Sequence, residues 1–127
     1  MLSEQNRLRS SAAFAQAVKH GRKKGSRTVV VYKYEPDNPP LVTNGGPRMG
    51  VIVSKAVGNS VVRHKTARII RAALRNVMAD PRGVQFKDTQ TFVIRALPYS
   101  ATAQTGEVEK DVRSCLRRIA QQKTKSL

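Results

Sequence analysis

Residues 50–71 read Gly-Val-Ile-Val-Ser-Lys-Ala-Val-Gly-Asn-Ser-Val-Val-Arg-His-Lys-Thr-Ala-Arg-Ile-Ile-Arg, and this stretch decides the fold. Its first residues are β-branched and predict a strand over Arg48 to Ser54. Gly58-Asn59-Ser60 then offers a turn and a helix N-cap. We expect the helix to run to about Ala79, because Asp80-Pro81 ends it. The stretch therefore predicts a strand that turns directly into a long helix.

At 100° per residue this helix has two different faces. One face is apolar and must be buried; it carries Val62, Thr66, Ile69, Ile70, Ala73, Leu74 and Val77. The opposite face is cationic and carries His64, Arg68, Arg71 and Arg75, with Lys65 beside them. Six Lys and Arg residues and no acidic residue lie between Lys55 and Asn76.

The cationic row points to an external anion. Most charged helix faces are simply solvated, but such faces usually interleave both signs in i,i+4 pairs, and this one offers no anion. The row is about 16 Å long at the helical rise, which suits several phosphates. Four of the six cations are arginines, whose planar fork fits phosphate oxygens. The pattern therefore favours nucleic acid. We expect His64 to hydrogen-bond with RNA rather than to act as a base, since no carboxylate lies near it in sequence.

Outside this stretch the chain alternates helices and strands. Ser11 to His20 is predicted to be a short helix, followed by a basic loop over His20 to Arg27. Thr28 to Tyr34 and Thr89 to Ala96 are predicted strands, and Glu107 to about Gln122 is a last helix. This order predicts an α+β sandwich with helices against a small sheet.

The last helix has an apolar stripe and an acidic beginning. The stripe consists of Val108, Val112, Leu116 and Ile119. The acidic residues of its first turns are Glu107, Glu109 and Asp111. Favourable interaction with the helix dipole explains this trio better than a metal site does.

Composition fits one basic domain over residues 1–127. The chain has 24 Lys and Arg against 8 Asp and Glu, a net charge of +16, which is tolerable when a polyanion covers the surface. Cys115 is the only cysteine, so no intrachain disulfide can form. No apolar run reaches the roughly 18 residues of a membrane span, and the N-terminus shows no secretion signal. We expect a cytoplasmic protein whose tail, residues 123–127, is frayed.

The segment Gly50 to Lys65, with the following Thr66 to Arg71, resembles the protein subunit of bacterial ribonuclease P. That family has a strand ending in Val-Ser-Lys, a Gly-Asn turn and a helix opening with an Arg-Asn-Arg-type motif. Further matches lie at both ends of the chain: Arg7-Leu8, Phe14, Gly21, Tyr32 and Ile94-Arg95. The sequence departs from the family where His64 replaces Asn, Lys65 replaces Arg, Ala67 replaces Lys and Val18 replaces an aromatic residue.

The resemblance implies a fold and an activity. It implies a four-stranded mixed sheet in the order α-β-β-β-α-β-α with a left-handed β-α-β crossover, although general rules favour a right-handed one. Leu41-Val42-Thr43 is the candidate for the fourth strand. The enzyme removes the 5′ leader of precursor tRNA. Its catalytic RNA holds the active site and the Mg²⁺ ions, and the protein binds that RNA and the leader. No membrane or obligate protein partner is implied.

The resemblance also implies two binding surfaces. Contacts to the catalytic RNA are expected from the basic helix and the turn before it: Lys55, Asn59, Arg63, His64, Lys65, Arg68, Arg71 and Arg75. Arg63 lies near the edge of the buried face in projection, so it can face the leader cleft instead. That cleft, between the first helix and the sheet, is expected to use Phe14, Val18, Tyr32 and Ser54. Aromatic rings can stack on unpaired bases, whereas core packing is an equal alternative for Phe14.

Other functions fit the residues less well. A ribosomal or other structural RNA-binding protein suits the charge and size equally, and only the Gly58 to Arg71 motif argues against it. A free-standing nuclease would need clustered carboxylates, and the eight acidic residues are scattered. A membrane-surface helix would need bulky apolar residues for insertion, and here the apolar face is better explained by the sheet.

Overall fold

The computed structural model describes residues 8, 11–35, 47–80, 83, 86 and 90–121. The elements are α1 (Ser11–His20), β1 (Arg22–Gly25), β2 (Val29–Tyr34), β3 (Arg48–Ile52), α2 (Ser60–Ala79), β4 (Thr91–Ala96), a short 3₁₀ helix (Pro98–Ala101) and α3 (Thr105–Gln121). The predicted order α-β-β-β-α-β-α is confirmed, and α1 has the predicted bounds. The expectations for residues 41–43 and 123–127 fall outside the described residues.

The four strands form one mixed sheet in the order β1-β2-β4-β3. β2 is antiparallel to both β1 and β4, whereas β3 and β4 are parallel. Parallel neighbours need a crossover connection, and α2 lies within it. The hand of this β3-α2-β4 crossover stays a prediction.

The fourth strand is β1, in the segment for which the sequence predicted a basic loop. Arg22–Gly25 has little strand propensity, but a tight turn at Ser26 brings it back along β2. In that turn Ser26 N donates to Val29 O over 2.8 Å. β1 is an edge strand, where lysines are favoured because they deter pairing with another chain. Tertiary pairing therefore overrides the local sequence preference.

The sheet lies between helices on both sides. The larger core joins α2 and α3 to residues of alternating strand positions, including Val31, Met49 and Ile94. A smaller cluster on the other face joins Ala17 of α1 to Tyr32 and Val93. The predicted stripe of the last helix is confirmed, because Val108, Val112, Leu116 and Ile119 are all buried.

The three acidic residues of α3 each have a different partner. Asp111 Oδ2 accepts a 2.6 Å hydrogen bond from Thr28 Oγ1 at the start of β2. Glu109 Oε1 lies 3.2 Å from Arg113 Nη2 on the same helix, and Glu107 Oε2 lies 4.0 Å from Arg27 Nη1. These carboxylates thus interact with the β1–β2 hairpin, with α2 and with the next turn of α3 rather than converging on one point.

Candidate nucleic-acid interface

The turn between β3 and α2 fixes where the basic helix begins. Asn59 is the N-cap, and its side-chain oxygen accepts from Val62 N over 3.0 Å. Gly58 lies so close to Val62 that a Cβ at this position would be 2.9 Å from Val62 Cγ1. Lys55 is exposed in the same turn. Asn59 therefore has a structural role at the site for which an RNA contact was predicted.

Along α2 the predicted division into two faces is confirmed. Thr66, Ile70, Ala73, Leu74 and Val77 are buried, as expected for the apolar side. The α2 cationic face consists of His64, Lys65, Arg68, Arg71 and Arg75; all are exposed except Arg71, which is half-buried.

The α2 cationic face has no internal counter-ion within the described residues. None of its Lys or Arg side chains comes within 4.0 Å of a described carboxylate oxygen. Because like charges at i,i+3 and i,i+4 repel one another, the array is unfavourable until an external anion binds. The geometry suits a ligand with several negative charges spaced along the helix.

Arg63 lies between α2 and β3, on the side of the sheet opposite α1. It lines a groove of about 330 Å³ together with Val51, Val53, His64 and Arg71, among others. Its Nε is shielded from solvent and has no hydrogen-bond partner in the described part of the chain. A buried donor without a partner costs about 1–3 kcal/mol. The Arg63 side chain thus lies in the groove on the α2 side of the sheet, not in the cleft beside α1.

The sequence reasoning missed Val61, an aliphatic residue at the N-terminal end of the α2 cationic face. Its side chain is 75% exposed, and it shares a shallow depression with His64, Lys65 and Arg68. Its position on the cationic face was the available signal, because a valine there cannot join the core. Val61 offers apolar contact surface beside the charges.

Helix α1 covers the part of the sheet that the sequence assigned to leader binding. Tyr32 is only 8% exposed and packs in the cluster with Ala17 and Val93. Phe14 and Val18 are half-buried and border the same cluster. The Phe14 ring lies on Gly50, where a Cβ would overlap the ring atoms. Tyr32 therefore packs beneath α1, and its contact with the leader stays a prediction.

An open row of residues crosses the sheet next to this covered area. Strand register places Gly25, Val30, Arg95 and Ile52 side by side on the α1 face. Gly25 and Arg95 are exposed, and Val30 and Ile52 are half-buried. Half-buried Ser54 follows two residues after Ile52. The row is about 14 Å long at the usual strand spacing, and it combines apolar surface with one cation. We call it the open row.

The described residues contain no group of three His, Cys, Asp or Glu side chains placed to hold a metal ion. No described helix is both long and apolar enough to cross a membrane.

Comparison with known proteins gives one consistent result. The family model described as Ribonuclease P matches residues 2–120. The ribonuclease P protein component of Corynebacterium urealyticum is 49% identical over 126 residues, covering 94% of this chain and 99% of that protein. That of Corynebacterium jeikeium is 52% identical over 126 residues, covering 93% and 97%. A Staphylococcus aureus RNase P protein structure aligns with a TM-score of 0.72 at 23% identity, covering 91% of this chain and 95% of that chain. The chain therefore belongs to the ribonuclease P protein family, the protein subunit of that enzyme.

Proposed function

We propose that this protein subunit binds the catalytic RNA of ribonuclease P through the α2 cationic face and binds the 5′ leader of precursor tRNA through the open row. It thereby assists the endonucleolytic removal of the leader, which gives the mature 5′ end of the tRNA, in the cytoplasm. The observation that carries this proposal is the α2 cationic face, whose Lys and Arg side chains have no described carboxylate within 4.0 Å.

In this proposal the RNA performs the chemistry and binds the Mg²⁺ ions. The acidic residues of α3 already have partners: Asp111 accepts from Thr28, and Glu109 lies beside Arg113. The protein contributes charge and shape. Arginines on one face of a helix can follow a phosphate backbone, and exposed Val61 can lie against a ribose or a base between the phosphates.

The open row supports leader binding better than Tyr32 does. A single strand needs a surface with a cation for its backbone and apolar contacts for its bases. Arg95 supplies the cation, and Val30 and Ile52 lie on either side of it. Phe14 and Val18 of α1, both half-buried, border the same face.

The assembly half of the proposal is tested by Arg68→Ala with Arg71→Ala. Each lost phosphate contact removes about 0.7–0.9 from the slope of log affinity against log salt. We expect the double variant to bind the cognate ribonuclease P RNA more weakly, with a slope smaller by about one to two. Lys19→Ala with Arg113→Ala removes the same charge elsewhere and serves as the control. An unchanged slope in the Arg68–Arg71 variant would show that this face does not meet phosphates.

The leader half is tested by Arg95→Ala in the reconstituted holoenzyme. A hydrogen bond to a charged group contributes about 1.5–3 kcal/mol, so the affinity for precursor tRNA should fall roughly 10- to 150-fold. Mature tRNA has no leader, and its affinity should not change. Equal loss for both tRNAs would place Arg95 outside the leader site.

A further inference from the structure

We propose that a second segment of RNA binds at the opposite edge of the sheet, on a surface formed by Arg22 and Lys24 of β1 with Arg117 and Arg118 of α3. We call this the β1–α3 surface. The inference rests on the proposed RNA-binding function and adds a second, separate contact to it. Its ligand is the sugar–phosphate backbone.

The faces of β1 follow from its register with β2. Arg22 is paired with Lys33, and Lys24 is paired with Val31. Residues paired across antiparallel strands share a face, and Val31 belongs to the core beneath α2 and α3. Arg22 and Lys24 therefore lie on the α3 side of the sheet, where both are half-buried.

The orientation of α3 is fixed by its contacts with the hairpin. Asp111 accepts from Thr28, so its side of the helix faces the β1–β2 hairpin. Arg118 lies seven residues later, almost two full turns, and therefore on the same side and farther from the hairpin turn. Its Nη2 lies 3.6 Å from Cys115 Sγ. Arg117, one position earlier and about 100° around the helix, is also exposed.

Charges of opposite sign are separated along this face. At the hairpin turn, Glu107 lies near Arg27 and Asp111 accepts from Thr28. Toward the other end of β1 lie the four cations of this surface, and among the described residues none of the four has a carboxylate within 4.0 Å. Four like charges on two elements that contact each other favour an external polyanion.

Protection of the sheet edge explains only part of this pattern. Lysine on an edge strand deters pairing with another chain, and exposed Lys23 serves that purpose on the α1 face. Edge protection gives no reason for Arg117 and Arg118, which are on a helix and have no strand edge to protect. Phosphate binding accounts for both elements together.

The strands that border the two surfaces lie at opposite edges of the sheet. The groove with Arg63 and Arg71 borders β3, and β1 is at the other end of the strand order. The backbones of these two edge strands are three strand spacings apart, a distance of about 14 Å. A protein with a phosphate-binding surface at each edge can hold two RNA segments apart at a fixed distance.

The test compares three pairs of charge-neutralising substitutions. Lys24→Gln with Arg117→Gln probes the β1–α3 surface, and Arg68→Gln with Arg75→Gln probes the α2 cationic face. Lys19→Gln with Arg113→Gln is the matched control, since Lys19 lies on α1 and Arg113 already pairs with Glu109. Circular dichroism establishes that each variant is folded. Affinity is measured over a range of salt for the cognate ribonuclease P RNA, and for precursor tRNA with the reconstituted holoenzyme.

We expect the β1–α3 pair to weaken one of these two affinities roughly 5- to 30-fold and to lower its salt slope by about 1.5. Whichever of the two affinities falls identifies the RNA that occupies the surface. The β1–α3 double variant could have the same two affinities as the control, while the α2 double variant binds the catalytic RNA more weakly. That result would refute the second surface and leave the proposed function standing. If only the β1–α3 pair has an effect, the α2 assignment fails instead.

Directed hydroxyl-radical cleavage gives an independent readout. Cys115 is fully buried, so an iron chelate can be attached selectively at Lys24→Cys or at Lys65→Cys. We expect the two positions to cleave different segments of RNA. Absence of cleavage from Lys24→Cys, with cleavage from Lys65→Cys, would overturn the proposal.

Discussion

Replacing Gly50 with alanine sets two effects of opposite sign against each other. A glycine inside a strand is less stable than an alanine by roughly 0.5–1 kcal/mol, so local preference alone predicts stabilisation. In this fold, however, the new Cβ would overlap the Phe14 ring and lie 3.2 Å from Leu8 Cβ. Relieving the overlap requires the Phe14 ring or α1 to shift, and overpacking of this kind costs about 1–3 kcal/mol. The overlap is the larger effect.

We therefore expect Gly50→Ala to destabilise the protein by about 1.2 kcal/mol, the difference between the midpoints of these ranges. For a domain of this size that lowers Tm by about 2–8 °C. Urea unfolding followed by far-UV circular dichroism measures the free energy of unfolding directly, and calorimetry measures Tm.

A double-mutant cycle with Phe14→Leu identifies the cause. Removing the ring makes room for the Cβ, so the double variant should lose about 1 kcal/mol less than the sum of the single variants. If Gly50→Ala stabilises the protein, or if the two losses simply add, α1 does not lie on β3 as described. The boundary of the proposed leader site would then have to be redrawn.

Three further substitutions test single contacts. Asn59→Ala should lower the free energy of unfolding by about 1 kcal/mol through loss of the α2 N-cap. Asn59→Asp keeps the cap and should leave the midpoint of urea unfolding unchanged. Thr28→Val removes the donor to Asp111 and should cost about 1.5–3 kcal/mol with faster amide exchange in α3; equal exchange rates in Thr28→Val and Thr28→Ser would contradict this. Tyr32→Ala should cost about 3–5 kcal/mol because the side chain is buried, while Tyr32→Phe should be nearly neutral in unfolding and in leader binding. If the stable Tyr32→Phe variant loses affinity only for tRNA that has a leader, Tyr32 is part of the leader site.

The sequence predicted α2 well because its pattern is long and local. Its twenty residues form an apolar face and an opposite cationic face, so the helix can pack on the sheet only with the apolar face inward. Asn59 and Asp80 cap its two ends. The same reasoning predicted the buried stripe of α3. Long amphipathic helices depend mainly on their own residues and on one neighbouring surface.

Two features of the sheet could not be predicted because they depend on distant residues. β1 is four residues of Arg-Lys-Lys-Gly, and only its pairing with β2 makes it a strand. The alternation of Tyr32 with Val31 and Lys33 does not decide from the sequence which face of β2 is buried. Both faces are covered instead, by α1 on one side and α3 on the other, and even Lys33 is 8% exposed. Burial on both faces removes the alternation that marks an exposed surface.

The stability of α2 shows why such an array of cations can persist on one helix. Repulsion between like charges three or four residues apart costs about 0.2–0.5 kcal/mol per pair. On the opposite face Ile70 and Leu74 are fully buried, and each contributes about 1.5–3 kcal/mol. Packing therefore outweighs repulsion, and the helix does not need carboxylates to be stable. The acidic residues of α3 interact with the hairpin and with Arg113, which leaves the cations of α2 available to phosphate.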